Sequence, residues 1–581
     1  MKRISKIYKN LLTLLAVLLF ASSCTDYLTI IPPDKTTEEF YWQTEDDVNG
    51  VLAKAYLNLL STDAIKKAIV WGELRSETLT IPTNPNSEIK YVVEANLFDD
   101  NSYCNWAIYY EAIQTANLVI DRAQDVLERD PDFTQGDCDV VIGEMYALRA
   151  LAHFYLVRAF RDIPMALEVV DKDYNMPQYS QVHPLVALNH IMADLDKAQG
   201  LVMKSGSFVN LDGHNRNLGR ITENAVLAMK ADVNLWRAAF AQYHENNTEL
   251  VGPNDVQRYY DDCINDCRTI VANMDRMFEA ENKGNKGNKE SYPYNLIQNE
   301  GDATLKEMTK ISTAFDEIFG RGNSSESIFE LQVTGTNATN GFALGTRDMY
   351  GASGTAYGYD KSLVIVPKDF HKNYTEDDLR AYSFLDIEDY KTGKEEGSVY
   401  VCKYKAMTSP ASMGDYRNAD NFAANWIVYR KTDVLLMMAE ALTLRPSSSE
   451  DDYKEAFNIV KAINTRSRMD TVPSNITKPL DFNKYNNKET LHELVLKERL
   501  LELSFEGKRW FDLVRKALRE KDTKNILFVA KKLDNGAGAV QSKMATIDGL
   551  FMPIHRDELL YNENLKQNPV YTREDSSTEM N

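Results

Sequence analysis

Cysteine is scarce in this chain, with six residues among 581. Cys24 follows the first apolar run, and the other five are irregularly spaced. Five remaining cysteines at such spacings do not form a disulfide framework. Cys263 and Cys267 would share one face of a helix, but no nearby histidine or further cysteine completes a metal site. We therefore interpret them as partly buried thiols.

Catalytic motifs are also lacking. The chain contains no H-E-x-x-H, no G-x-S-x-G and no P-loop, and GASG at residues 351–354 is only a near miss. Its eight histidines are scattered, and His153, among helix aromatics, is interpreted as a core residue. These absences argue against an enzyme that carries a local catalytic sequence motif. A glycosidase can lack such a motif, so this class stays open.

Positive charge is in deficit, because 66 lysine and arginine residues face 86 acidic ones and the net charge is -20. This balance argues against binding nucleic acid or anionic lipid through charge and leaves neutral ligands open. After residue 24, no apolar run reaches transmembrane length.

The first 24 residues are typical of a targeting segment. MKRISKIYKN is a positive n-region, LLTLLAVLLFA is an apolar h-region, and small residues stand directly before Cys24. This order predicts a lipoprotein signal over residues 1–23, with Cys24 lipidated after cleavage. An ordinary secretory signal is the alternative. Acyl chains on Cys24 would tether an otherwise soluble chain to a membrane.

Helical patterns fill much of the remaining chain. In residues 141–160, apolar and aromatic side chains recur at three- and four-residue steps, and Pro164 follows soon after. Alanines at the predicted contacts would let neighbouring helices pair closely, as in tetratricopeptide-type repeats. The other predicted helices cover residues 46–60, 105–127, 185–202, 222–242, 256–274, 426–444, 453–469 and 488–518.

Residues 275–425 differ in composition, with a lysine- and glycine-rich stretch and a segment, 335–360, dense in Gly, Thr, Asn and Tyr. Residues 326–333 and 398–404 could form short strands. We predict one mainly α domain over residues 24–581, in which tetratricopeptide-like helix pairs pack with a loop-rich excursion that carries a few short strands.

The stretch ERLLELSFEGKRWFDLVR, residues 498–515, mixes charge with large apolar side chains. On one helix, four side chains share a stripe: Leu494, Glu498, Leu501 and Phe505. Glu498 therefore needs a partner from another element, whereas every other acid has a basic neighbour within the same helix. A glycosidase needs two carboxylates that face each other across an open cleft. We interpret this stretch as a charged seam in the core.

Together with other stretches, this one resembles the SusD/RagB family of bacterial outer-membrane lipoproteins. The others are, in order, YLTIIPPDKTTEEFYWQTEDDVNGVLAKAY, IGEMYALRALAHFYLVRAFRDIP, GRITENAVLAMKADVNLW, YRKTDVLLMMAEAL, NTRSR and FMPIHRDELLYNENLKQNPVY. The resemblance spans nearly the whole chain after Cys24. The family usually has glycine at the positions of Arg161 and Val570 and proline at that of His555, which affects local turns.

The resemblance implies a non-catalytic protein, lipid-anchored at the outer membrane and facing the cell exterior. It implies an α-helical fold and the role of a lid on a SusC-like TonB-dependent transporter. The ligand would be an oligosaccharide, or a peptide as in some members. No cofactor and no nucleic-acid partner are implied, and a structural calcium ion is left open.

Sugar binding needs aromatic faces beside amides and charged groups, and peptide binding would use similar shapes. Residues 71–106 and 341–359 have this composition. The candidate ligand contacts are Arg75, Asn84, Asn86, Tyr91, Tyr350 and Tyr357; for each alone, an ordinary loop role is the alternative. A surface glycosidase and a purely structural repeat scaffold are the competing functions.

Overall fold

The computed structural model describes residues 41–170, 177–208, 218–282, 293–299, 312–333, 343–351, 362–386, 399–406, 417, 422–469, 479–533 and 535–572. The signal segment, Cys24 and Tyr357 lie outside the described residues. The described helices are α1 Glu45–Leu60, α2 Thr62–Ile69, α3 Ser87–Val93, α4 Ala107–Leu127, α5 Gln135–Phe160, α6 Pro184–Leu201, α7 Glu223–Tyr243, α8 Asp255–Asn282, α9 Thr313–Asp316, α10 Gly345–Tyr350, α11 Leu379–Phe384, α12 Lys431–Leu444, α13 Glu450–Arg466, α14 Lys488–Leu503, α15 Arg509–Glu520, α16 Ala537–Lys543 and α17 Arg556–Tyr561.

Helices that follow one another in sequence pack against one another in space. From α4 to α8, each helix contacts the next, and α1 packs on α4. Helix α12 then packs on α8 and carries α13 and α14 beside it, while α15 closes onto α7. The mainly α fold with tetratricopeptide-like helix pairs is thereby confirmed.

Several helix starts are fixed by their own sequence. Thr44, Thr134 and Ser449 begin α1, α5 and α13 with capping boxes, in which the cap hydroxyl and an aspartate three residues later satisfy each other's backbone N–H groups. Helix α5 is long and apolar enough to cross a membrane, but 78% of its apolar window is buried inside the protein. It is therefore a core helix.

Helix α5 ends at a strained residue. Arg161, directly after it, has a φ of 69°, in the left-handed region that favours glycine. This is a position where the family resemblance leads one to expect glycine. The Arg161 guanidinium pairs with Asp162 and Asp548, which anchors the turn to the C-terminal region.

Two antiparallel strand pairs accompany the described helices: β1 (Ile163–Pro164) with β2 (Gln181–Val182), and β3 (Ser327–Leu331) with β4 (Trp426–Arg430). Strand β3 confirms the strand predicted at 326–333. The helix predicted over 426–444 is wrong in its first five residues, because the buried aromatic and β-branched run WIVYR pairs with β3. Residues 398–404 contribute isolated bridges at Val399 and Val401.

The single helix predicted over 488–518 is also wrong, because the structure has two helices there. Helix α14 ends at Leu503 and α15 begins at Arg509. Between them Phe505 and Gly507 have φ values of 71° and 69°, which no right-handed helix allows. Phe505 therefore does not continue the stripe of Leu494.

Buried apolar side chains from the helices and from the loop-rich excursion form one cluster, which includes Trp71, Trp236, Trp426 and Trp510. Cys263 and Cys267 are fully buried free thiols within it.

Candidate functional site

The partner of Glu498 comes from other elements, as predicted. Its Oε1 accepts a hydrogen bond from Arg380 Nη1 at 2.6 Å, and its Oε2 accepts one from Asn464 Nδ2 at 3.1 Å. Arg380 lies on α11 and Asn464 on α13. Glu498 has only 2% of its surface exposed, so it is a core residue.

Glu502 and Glu506 are paired across the fold and not along their own helix. Glu502 Oε1 contacts Arg430 Nη1 at 2.7 Å and Arg466 Nη2 at 2.6 Å. Glu506 Oε1 contacts Lys403 Nζ at 2.6 Å and Arg430 Nη2 at 2.7 Å. The expected neighbours within the helix were wrong as partners of these two acids, because Arg499 pairs with Asp433 and Asp512 and because α14 ends before Glu506.

Asp512 retains one local partner. It contacts Arg515 at 2.8 Å as predicted, and it also accepts a bond from Arg499 Nε at 2.9 Å. Arg509 instead bonds Glu77, with Nη2–Oε1 at 2.6 Å. The charged seam is buried as expected, but most of its pairs join different elements and do not lie within one helix.

The network lowers the pKa of Glu502 and Glu506, whereas burial raises the pKa of Glu498 despite its bonds to Arg380 and Asn464. Burial opposes ionisation of Glu502, but the guanidinium groups of Arg466, Arg430 and Arg380 outweigh it and lower its pKa below the ordinary value. The pKa of Glu506 is likewise lowered, because Arg430 and Lys403 outweigh its burial. These acids are buried and paired, so they do not face each other across the open cleft that a glycosidase requires.

Two of the candidate ligand contacts, Arg75 and Tyr350, are core residues in the structure. Arg75 is 2% exposed; it donates to the carbonyls of Leu550 and Gly549, both at 2.6 Å, and lies over the Trp510 ring. Tyr350 is also 2% exposed and stacks on Tyr404 at 5.7 Å. Neither side chain is available to a ligand at the surface.

The other described candidates are accessible. Asn84 and Asn86 are exposed, and Tyr91 is partly buried on α3. Asn86 also caps α3, because its Oδ1 accepts the N–H groups of Glu88 and Ile89 at 3.0 and 3.2 Å.

Tyr91 has an aromatic partner that sequence reasoning did not single out. The ring of Phe98, which is 46% exposed, lies 5.5 Å from the Tyr91 ring at an interplanar angle of 86°. Asn101 Nδ2 donates to the Glu88 carbonyl at 3.0 Å, which fastens the loop of Phe98 to α3. Phe98 could have been identified from the sequence, because it is a large aromatic residue directly before two acidic residues, Asp99 and Asp100.

Charged groups border the two rings. Arg556, from α17, donates its backbone N–H to the Asp99 carbonyl at 2.8 Å and pairs with Asp100 at 3.2 Å. We call the set of Asn84, Asn86, Tyr91, Phe98, Asp100 and Arg556 the Tyr91–Phe98 surface. It offers perpendicular aromatic rings, amides and an exposed ion pair, which suits a ligand with apolar ring faces and polar edges. Among the described residues, no group of three potential metal ligands is present.

Comparisons with known proteins agree with this helix stack. The model described as the SusD family matches residues 368–571, and the model described as starch-binding associating with outer membrane matches residues 26–235. The chain is 24% identical over 564 residues to SusD-like protein P38 of Formosa agariphila, covering 95% of this chain and 96% of the relative.

Solved structures share the fold. A SusD superfamily protein from Bacteroides thetaiotaomicron matches with a TM-score of 0.62 at 18% identity, covering 90% of this chain and 99% of that one. A putative sugar binding protein from Bacteroides vulgatus matches with a TM-score of 0.60 at 20% identity, covering 92% and 100%.

The helix stack and the two strand pairs define a tetratricopeptide-like protein of mainly α class. The chain belongs to the SusD/RagB family, because the two models together match more than half of it and the relative aligns along nearly its whole length. The resemblance drawn from the sequence is confirmed, and family membership associates the protein with the outer membrane.

Proposed function

We propose that the protein binds an oligosaccharide at the cell surface and delivers it unchanged to a SusC-like TonB-dependent transporter. The observation that carries this proposal is the Tyr91–Phe98 surface, where Tyr91, on the helix that Asn86 caps, packs edge-to-face against the exposed ring of Phe98. Sugars bind through apolar ring faces against aromatic side chains and through hydroxyl groups against amides and charges. The sugar-binding description of a structural neighbour supports the same ligand class.

The absence of catalysis is supported by the charged seam. Its acids are buried and held by arginine or lysine, so they do not face an open cleft. On the Tyr91–Phe98 surface, Asp100 is paired with Arg556.

Tethering to the outer membrane would use the lipid on Cys24. Sixteen residues lie between Cys24 and Tyr41, where the described chain begins. Fully extended, such a segment spans at most ~60 Å. This length lets the folded part stand above the membrane while it remains close to a transporter in the same bilayer.

Peptide capture is the second candidate. The Asp100–Arg556 pair favours it, because both side chains are more than half exposed and could bind the charged ends or backbone of a peptide. The rings of Tyr91 and Phe98 suit an oligosaccharide and a peptide equally.

The test uses purified residues 25–581, titrated by calorimetry with a panel of soluble polysaccharides and with mixed peptides. The same mixtures are assayed for new reducing ends. Heat from a glycan without new reducing ends is the expected result. New reducing ends would contradict the non-catalytic role, and binding to peptides alone would favour the second candidate.

A further inference from the structure

A polar cavity lies at the edge of the β3–β4 pair. Its residues are distant in sequence from those of the Tyr91–Phe98 surface. It encloses about 230 Å³ and is lined by residues that precede β3, follow it and precede β4. We call it the amide pocket, after three of its residues: Asn323, Gln332 and Asn425. Its volume is below the ~300–1,000 Å³ of drug-sized sites, so it can hold one small ring and not a chain of them.

The turn before β3 is built to present Asn323. Gly322 and Asn323 have φ values of 71° and 50°, in the left-handed region. A Cβ on Gly322 would lie 2.7 Å from Asn425 Nδ2, so this position needs glycine. The backbone therefore brings Asn323 and Asn425 together.

The orientation of these amides is fixed by their neighbours. Asn323 Oδ1 accepts the Leu218 N–H at 2.9 Å and a bond from Gln332 Nε2 at 2.7 Å. Asn425 Oδ1 accepts the Val333 N–H at 3.0 Å. Since backbone N–H groups can only donate, both Oδ1 atoms are assigned as acceptors.

Glu330 fixes the positions of Asn323 and Asn425. This fully buried carboxylate accepts the Asn323 N–H at 3.0 Å and Asn425 Nδ2 at 2.7 Å. It is a positioning residue, because it does not line the cavity itself. The amides are thus preorganised before any ligand arrives.

Some donor and acceptor groups of these amides are not used by the hydrogen bonds described above. Within the described ranges, Asn323 Nδ2 has no recorded acceptor, and Gln332 Oε1 has no recorded donor. One N–H of Asn425 Nδ2 also remains beyond its bond to Glu330. Donors and acceptors in close alternation match hydroxyl groups, each of which both donates and accepts.

The charged side chains of the lining already have partners within the protein, which favours a neutral ligand. Arg417 is 7% exposed and donates to the carbonyls of Phe319, Gly320, Tyr404, Ala406 and Ala423, so its nitrogens are already engaged. No aspartate or glutamate is among the lining residues, and Arg321, 54% exposed, lies near Glu317.

Apolar residues also line the cavity, namely Ile318, Phe319, Val333 and Ile427. A lining that combines apolar side chains with amides matches the apolar faces and hydroxyl groups of a sugar ring.

We propose that the amide pocket is a separate site for a single neutral sugar ring. This inference rests on the proposed function, because it names one size and charge class within the glycans that the protein captures. The pocket would hold a terminal or branch residue, whereas the Tyr91–Phe98 surface would contact a longer chain.

The experiment uses residues 25–581 and neutral monosaccharides (glucose, galactose, mannose and xylose), with binding followed by saturation-transfer NMR. Asn323→Asp keeps the acceptor oxygen of Asn323 but removes its two free N–H donors. Gln332→Met keeps the volume of the side chain and removes its amide. Asn254→Asp, at an exposed asparagine before α8, makes the same charge change outside the pocket.

We expect one of these sugars to bind, with about tenfold weaker binding in Asn323→Asp and in Gln332→Met, and no change in Asn254→Asp. Thermal melting of each variant checks that it folds. Phe98→Ala is included and should retain monosaccharide binding.

The remaining outcomes are distinguishable. Monosaccharide binding that is lost in Phe98→Ala and kept in both pocket variants would overturn the amide pocket. The amide pocket would also be overturned if the protein bound polysaccharides but gave no signal with any monosaccharide. In that case the proposed function would still stand. If no glycan of any size binds, both proposals fail.

Discussion

Arg380 and Glu498 form a buried ion pair, with Nη1 and Oε1 2.6 Å apart, between residues separated by 118 positions in the chain. Arg380 is fully buried on α11, within the loop-rich excursion, and Glu498 lies on α14 of the helix stack. Asp378 also contacts Arg380, at 2.9 Å. The pair therefore fastens the excursion to the helices through charges that water does not reach.

Arg380→Met should be strongly destabilising. Removing one partner leaves the Glu498 and Asp378 carboxylates buried without their cation, and breaking such a pair costs ~3–5 kcal/mol. Denaturant unfolding measures the loss. Lys454→Met is the control, because Lys454 and its partner Glu450 are both exposed; its unfolding midpoint should not change. Equal midpoints for Arg380→Met and the native protein would contradict the role of the pair.

Glu73→Ala should also destabilise the protein. The Glu73 carboxylate is fully buried and accepts the backbone N–H groups of Phe505, Lys508 and Arg509 at 2.9, 3.1 and 3.4 Å. It thus caps α15 from a distant segment and holds the left-handed turn at Phe505. Leaving these donors without an acceptor should cost ~2–4 kcal/mol.

Thermal melting checks this expectation, with Glu94→Ala as the control. Glu94 is only loosely paired with Lys90, at 3.8 Å near the surface. If Glu73→Ala has the same melting temperature as the native protein, the turn between α14 and α15 is held by other contacts.

The helices could be predicted because their signals are local. Residues 141–160 have the helical period, and Thr134 and Ser449 cap helices through neighbours in the sequence. The break at Phe505 depends instead on Glu73, which lies 432 positions away. Strand β4 was missed because its pairing with β3 is likewise a long-range contact.

The pH dependence of stability should carry a contribution from Asp266 on α8. Burial raises its pKa to about 7, against the opposing charge of Lys230 and with further increase from Asp262 and Asp196. The folded protein then holds this proton more tightly than the unfolded chain does. The free energy of unfolding therefore falls as pH rises from the ordinary aspartate value of 3.8 to about 7, and it levels off above.

Asp266→Asn removes this penalty. The variant should match the native protein near pH 4 and exceed it by ~1–3 kcal/mol at pH 8. Unfolding curves across this range measure the difference. Asp125→Asn, at an exposed aspartate on α4, should follow the native curve throughout. A constant offset at all pH values would show that the effect does not come from ionisation.

Tyr350→Phe should leave glycan binding unchanged. The Tyr350 hydroxyl is buried and has no recorded hydrogen-bond partner among the described residues. Removing an unsatisfied hydroxyl should keep or raise the melting temperature. Calorimetric titration with the best glycan measures the Kd, which should stay within about twofold. A tenfold loss would restore Tyr350 as a ligand contact.

The candidate site was harder to predict than the fold. The stretch 71–106 contains exposed aromatic and amide groups, but its composition could not separate Tyr91, which is partly exposed, from Arg75, which is buried. The difference comes from Gly549 and Leu550, whose carbonyls accept the Arg75 guanidinium from the far end of the chain.

The central claim is that the Tyr91–Phe98 surface captures the glycan. The most direct measurement is the Kd of the best glycan for the native protein, for Phe98→Ala and for Phe528→Ala. Phe528, 37% exposed on another element, is a matched control for loss of an exposed ring. We predict at least about tenfold weaker binding in Phe98→Ala and no change in Phe528→Ala, with equal melting temperatures. Equal affinity in all three proteins would contradict the account.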